Sequence, residues 1–172
     1  MFINNKTATN TSIGADKLLE HGITCINTSQ WTFAYTVFEH LYQITKDKPV
    51  SLFYNMALCH YSAKEYSKAI TLLGEALSQI AIPSVSDHSI NNLPSELLIQ
   101  EYKNSHHHLA LNETAAVLNN AIVKLRIRRL LVDVHLELQN WQEVVRLSAL
   151  PEMDKCKNVQ EALAIAKTKI NT

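Results

Sequence analysis

One stretch decides the fold, and it runs Phe53-Tyr54-Asn55-Met56-Ala57-Leu58-Cys59-His60-Tyr61, then Tyr66-Ser67-Lys68-Ala69, then Ala76-Leu77. Its apolar side chains follow the 3.6-residue helical period, which predicts two helices over about residues 50–63 and 65–80. Ala57 and Ala69 are small where two antiparallel helices would approach closely. Tyr66 is an aromatic residue that would fill the space beside the turn between them.

The same pattern occurs once more toward the N-terminus. A shift of 35 residues places Gly22 on Ala57, Trp31 on Tyr66, Ala34 on Ala69, Phe38 on Leu73 and Leu41 on Ala76. Small residues coincide with small residues and aromatic residues with aromatic ones. Self-similarity at a period of 20–50 residues is typical of helical repeat proteins. We therefore predict an earlier hairpin with helices over residues 15–27 and 30–44, and Ser29 as the N-cap of the second helix.

These residues resemble the tetratricopeptide repeat. The match is close over residues 50–80 and weaker over residues 15–48. A third, degenerate copy has Trp141 at the aromatic position, Val144 and Val132 where small residues are expected, and Pro151 ending its second helix. The resemblance implies an all-α fold of antiparallel helical hairpins, stacked as a short right-handed superhelix (an α-solenoid) and closed by a C-terminal capping helix.

The resulting organisation is a single domain over residues 1–172. Its parts are repeat 1 (15–48), repeat 2 (50–80), an insertion (81–111) whose first part is loop-like at Pro83, Ser84, Ser86 and Asp87, degenerate repeat 3 (112–155) and a capping helix (158–170). From Asn112 onward an apolar stripe predicts one helix of about 27 residues, with a break at Asn119-Asn120 as the alternative. Asn158 and Glu161 form a capping-box pattern at the start of the last helix.

Composition excludes several classes of protein. With 47% hydrophobic residues, a formal net charge of zero, 3 glycines and 4 prolines, the chain fits neither a disordered segment nor a turn-rich β-sandwich. Zero net charge argues against nucleic acid and membrane surfaces as partners. The three scattered cysteines predict buried, reduced thiols, and no signal or membrane segment is recognisable, which favours the cytoplasm. No catalytic or cofactor motif occurs, so we expect neither an enzyme nor a cofactor.

The resemblance implies that function lies in a concave groove formed by the first helix of each hairpin. It assigns to that groove Leu19, Ile23, Ile26, Tyr54, Asn55, Leu58, Tyr61, Arg126, Arg129 and Asp133. We expect a non-catalytic adaptor that binds an apolar or amphipathic segment of a protein partner there. An apolar wall left bare would be costly. The N-terminal residues, the insertion, a partner or a second copy of the chain are therefore all open as its cover.

Two further hypotheses come from the residues. The first alternative within binding is a small chaperone that holds a client segment. The alternative from another class is a phosphate or nucleic-acid binder that uses the basic cluster Lys124, Arg126, Arg128 and Arg129. The run His106-His107-His108 predicts an exposed polar kink rather than a metal site, because adjacent side chains on a helix point about 100° apart.

Overall fold

Nine α-helices make up most of residues 6–80 and 90–171, the parts of the chain that the computed structural model describes. No strand occurs in these two ranges, so the all-α prediction is confirmed. The helices are α1 (Lys6–Asn27), α2 (Trp31–Ile44), α3 (Val50–Ser62), α4 (Tyr66–Ile80), α5 (Ser95–Lys103), α6 (Glu113–Leu118), α7 (Asn120–Glu137), α8 (Trp141–Ser148) and α9 (Lys157–Ile170). Short 3₁₀ turns lie at Ile90–Asn92, His106–His108 and Met153–Lys155.

Three helical hairpins share one turn geometry. The pairs α1–α2, α3–α4 and α7–α8 are each joined through a residue in the left-handed region, Ser29, Lys64 and Gln139, with φ of 59°, 60° and 57°. In each turn, this residue donates its amide to a carbonyl three residues back, and the next residue donates to one five residues back. Trp31, Tyr66 or Trp141 then begins the second helix. The internal repeat seen in the sequence is therefore also present as a repeated turn.

Small residues permit the close approach of paired helices. A Cβ added at Gly22 would lie 2.6 Å from the ring of Phe38, which is fully buried. The alanines at the corresponding contacts, Ala34, Ala57, Ala69 and Ala76, have no exposed surface. The close contact between α1 and α2 therefore depends on the absence of a side chain at position 22.

The hairpins pack in chain order around one core. The second helix of one hairpin contacts the first helix of the next, α2 against α3 and α4 against α7. At the C-terminal end, α9 packs on α7 and α8, α5 lies against α9, and α6 contacts α3 and α7. None of the described helices has both the length and the apolar character needed to cross a membrane.

The N-terminal helix and the first turn differ from the prediction. The first helix begins at Lys6, not near residue 15. Ser29 is not the N-cap of α2, because it occupies the left-handed position of the turn and Gln30 precedes the helix without a side-chain cap. The loop predicted at Pro83, Ser84, Ser86 and Asp87 lies outside the described residues.

The predicted helix of about 27 residues is wrong, and the alternative break is present. The segment divides into α6 and α7 at Asn119, whose φ of −143° and ψ of 69° are not helical. The side chain of Asn119 accepts a hydrogen bond from the amide of Ile122 and thereby caps α7. Asn112 caps α6 in the same way through the amides of Thr114 and Ala115.

The last helix begins at Lys157, and Asn158 does not form the predicted capping box. The residue before α9 is Cys156, which makes no side-chain cap. The amide group of Asn158 instead bonds to Arg129 and Asp133 on α7. Asn158 therefore joins α9 to the interior of the molecule.

Gly22→Ala tests the close contact between α1 and α2. We expect it to lower the free energy of unfolding by about 1–3 kcal/mol, since the added methyl group overlaps a fully buried ring. Gly74→Ala in α4 is the matched control because nothing lies within 4 Å of its added Cβ. The control should raise the free energy of unfolding by roughly 0.5–1 kcal/mol, through helix propensity alone. Urea denaturation measures both, and equal changes would contradict the packing described.

Candidate functional site: a groove covered by residues 104–112

The predicted groove residues lie together, but none of them is exposed. Ile26, Tyr54, Asn55, Leu58 and Arg129 are buried, and Arg129 is 1% exposed. The other five are partly buried, namely Leu19, Ile23, Tyr61, Arg126 and Asp133. The groove wall is covered by the last part of the insertion together with Asn112, residues 104–112, which we call the covering segment. As folded here, the predicted wall is not an open surface.

Side chains of helix α3 hold the covering segment mainly through backbone groups of that segment. The side-chain amide of Asn55 donates to the carbonyl of Leu111 (2.9 Å) and its oxygen accepts from the Leu111 amide (2.7 Å). The hydroxyl of Tyr54 donates to the carbonyl of His107 over 2.6 Å. On α1, the side-chain oxygen of Asn27 accepts from the Ala110 amide at 3.0 Å. These bonds hold residues 107–111 against α1 and α3 through backbone groups of the segment.

Arg129 fixes the other end of the covering segment. Its guanidinium donates to the backbone carbonyls of Glu101 and Asn104, at and just after the C-terminal end of α5. Its Nε donates to the side-chain oxygen of Asn158 over 2.8 Å. Carbonyls in the last turn of a helix have no partner within the helix, so Arg129 satisfies groups that would otherwise be unpaired.

The basic cluster predicted at residues 124–129 is not one exposed patch. Arg126 forms a two-pronged ion pair with Glu101, with its Nε and Nη2 at 2.7 and 2.8 Å from the two carboxylate oxygens. Burial would raise the pKa of Glu101, but the bonds from Arg126 lower it below its ordinary value. With Arg129 also bonded internally, two of the four basic groups are occupied within the fold.

Two histidines of the covering segment meet one carboxylate. The Nε2 atoms of His107 and His108 lie 2.7 and 2.8 Å from the same oxygen of Asp133. His107 is 1% exposed, whereas the side chain of His108 is 41% exposed. Burial lowers the pKa of His107, only partly opposed by Asp133, and so favours the neutral ring. The pKa of Asp133, which burial would raise, is held well below its ordinary range by the bonds from both histidines.

The prediction of an exposed polar kink is therefore wrong at His107. The three histidines form a 3₁₀ turn, and their side chains bond to two different carboxylates. His106 bonds to Glu101 (Nδ1 to Oε2, 3.1 Å), while His107 and His108 both reach Asp133 on α7. His107, His108 and Asp133 could together hold a metal ion, since one ligand atom from each lies within 4.8 Å of the others.

The N-terminal side of the groove ends in a small cleft beside Leu19. Its volume is about 220 Å³, and it is lined by Ala15, Asp16, Leu19, Leu41, Thr45, Asp47, Pro49, Leu52 and Glu113.

Elsewhere, the three cysteines are free and buried, as predicted. Burial raises the pKa of Cys59 to about 12 and that of Cys156 to about 11, so both thiols are protonated and poorly reactive near neutral pH. What the groove offers chemically is backbone recognition and buried polar bonding.

Several polar residues that build this site do not stand out in the sequence pattern. They are Glu101, Asn104, His107, His108 and Asn158. A usable pattern was present in α7, where Arg129 and Asp133 lie one turn apart among apolar residues that are fully buried, including Leu130, Val132 and Val134. Charged residues at such positions require buried partners, but the sequence does not say which ones.

Comparison of the chain with protein-family models, with curated proteins and with solved structures finds no match.

Asn55→Ala tests the hold of α3 on the covering segment. We expect the free energy of unfolding to fall by roughly 2–4 kcal/mol, because the buried amide and carbonyl of Leu111 both lose their partner. Asn27→Ala is the control, since it removes one solvent-accessible bond, and it should cost less than about 1 kcal/mol. Urea denaturation of the two variants checks this. Equal losses would mean that Asn55 does not hold a buried backbone.

Proposed function

We propose that this chain is a non-catalytic protein-interaction module of the tetratricopeptide-repeat type, acting as an adaptor that binds an extended segment of a protein partner in the groove formed by α1, α3 and α7. Support for the repeat comes from the three hairpins with the same left-handed turn at Ser29, Lys64 and Gln139. A right-handed superhelical stacking of these hairpins belongs to the same proposal.

One observation carries the binding proposal: helices α1 and α3 already hold a non-helical stretch, residues 109–112, by its backbone. The two bonds from Asn55 to Leu111 and the bond from Asn27 to Ala110 would pair equally well with other sequences in the same conformation. The buried side chain of Leu111, 3% exposed, supplies an apolar anchor. Backbone pairing plus a side-chain pocket is a known way to recognise extended peptides.

A partner in this groove would compete with the covering segment. A tethered segment has a high effective concentration, so it excludes a free peptide more strongly than an equal free ligand would. The apparent affinity for a partner falls in proportion to the fraction of molecules with an open groove. We therefore expect weak binding by the unmodified chain and tighter binding once the covering segment is loosened.

The test uses a fluorescein-labelled peptide with the sequence of residues 104–113, added to the intact chain. Leu111→Ala loosens the covering segment by removing its buried anchor. Fluorescence anisotropy should show at least 10-fold tighter peptide binding by Leu111→Ala than by the parent protein. Leu118→Ala is the matched control, because Leu118 is 68% exposed, and it should bind like the parent.

The groove contacts are tested in the Leu111→Ala background. Adding Tyr54→Phe keeps the packing but removes the hydroxyl bond, and should weaken peptide binding by at most roughly 10-fold, because the same change also loosens the covering segment. Circular dichroism confirms that each variant is folded. The proposal fails if Leu111→Ala binds no more peptide than the parent, or if a scrambled peptide binds equally.

A further inference from the structure

The turn His106–His108 and helix α7 bring together groups that are typical metal ligands. The Nε2 atoms of His107 and His108 both face one oxygen of Asp133, at 2.7 and 2.8 Å. The two imidazole rings lie with their centroids 4.3 Å apart. Among the described residues, this is the group of histidine, cysteine and acidic side chains whose ligand atoms converge within 4.8 Å.

We propose that His107, His108 and Asp133 bind one divalent transition-metal ion, with Zn²⁺ as the representative case. Two imidazoles and one carboxylate are a ligand set that suits Zn²⁺, with a water molecule at the fourth position. Bonds of about 2.0–2.2 Å to a tetrahedral ion require the ligand atoms to move roughly 0.5–1 Å apart from their hydrogen-bonded positions. Rotation of the partly exposed His108 ring can widen the separation between His108 and Asp133, whereas the separation between the buried His107 and Asp133 would have to widen by a shift of the Asp133 side chain.

Surrounding bonds already orient the ligands. The second oxygen of Asp133 accepts from the amide of Asn158 at 2.8 Å, which leaves the first oxygen facing the histidines. Asn158 is fixed in turn by Arg129, and the backbone of His107 by the hydroxyl of Tyr54. Such outer bonds are typical of metal sites and influence their affinity.

The site is open to solvent on one side. The 41% exposure of the His108 side chain gives the ion a route from solvent.

One atom limits the affinity. Nδ1 of His107 is buried and has no hydrogen-bond partner. It would carry the ring proton when Nε2 binds the ion, whereas metal-binding histidines usually donate that proton to an acceptor. Loss of such an acceptor weakens metal binding by about 10–100-fold. We therefore expect dissociation constants in the micromolar rather than the nanomolar range.

The ion would fasten the covering segment to α7, because two of its ligands come from the covering segment and the third from that helix. It would thus favour the covered state of the groove. The metal site stands independently of peptide capture, since it depends only on these three side chains and their supports.

The experiment titrates Zn²⁺ into the intact, chelator-treated chain and follows binding by calorimetry. We expect one ion per chain, and an increase in the thermal midpoint of roughly 5–10 °C at a 100-fold excess over the dissociation constant. His108→Ala removes the most exposed ligand and should fold normally. It should weaken binding at least 10-fold, as should Asp133→Asn, which keeps the side-chain shape.

Two histidine variants serve as controls. His106→Ala changes the same turn but a side chain that bonds to Glu101, and His40→Ala changes an exposed histidine on α2. Both should bind Zn²⁺ like the parent. In the parent, Co²⁺ should give the visible absorption of a four-coordinate ion, and His108→Ala should lose it. The proposal is overturned if the parent shows no saturable binding, if His108→Ala binds equally well, or if His106→Ala loses binding.

Discussion

The C-terminal half of the structure depends on one buried charge, the guanidinium of Arg129. A charged group in an apolar interior is stable only when its donors are satisfied, and here they bond to the carbonyls of Glu101 and Asn104 and to the side chain of Asn158. Because the two carbonyls lie at the negative end of α5, the bond also fixes where that helix stops and the direction in which the chain leaves it. Asn158 then donates a hydrogen bond to one oxygen of Asp133, and the other oxygen of Asp133 bonds to His107 and His108. The covering segment is thus positioned by a continuous set of polar contacts before it reaches Asn55.

Much of the fold could be predicted because it depends on patterns that are local in sequence. The 3.6-residue apolar period, the small residues at Gly22, Ala57 and Ala69, and the aromatic residues after each turn report contacts within one hairpin. The errors occurred where a polar side chain had more than one possible partner. Asn119 caps a new helix instead of continuing an old one, and Asn158 bonds across to α7 instead of capping α9.

The candidate site was only partly predictable. Of the predicted groove residues, Tyr54, Asn55 and Arg129 all bond to the covering segment. Which part of the chain covers them is decided by pairings between residues 25 to 83 positions apart, such as Arg129 with Asn104 and Asn27 with Ala110. Such pairings leave no periodic pattern in a single sequence. The three histidines illustrate this. Their adjacent positions predict an exposed polar kink, but His107 bonds to Asp133 and is buried.

Hydrogen exchange at the amide of Leu111 would show whether the covering segment is a true part of the folded interior. That amide donates to a side chain, Asn55, and not to a helix, so its protection reports the groove contact itself. If residues 104–112 occupy the groove as described, the Leu111 amide should exchange as slowly as buried amides of α3 such as that of Leu58. Exchange within about 10-fold of the rate for an unstructured peptide would contradict a covered groove.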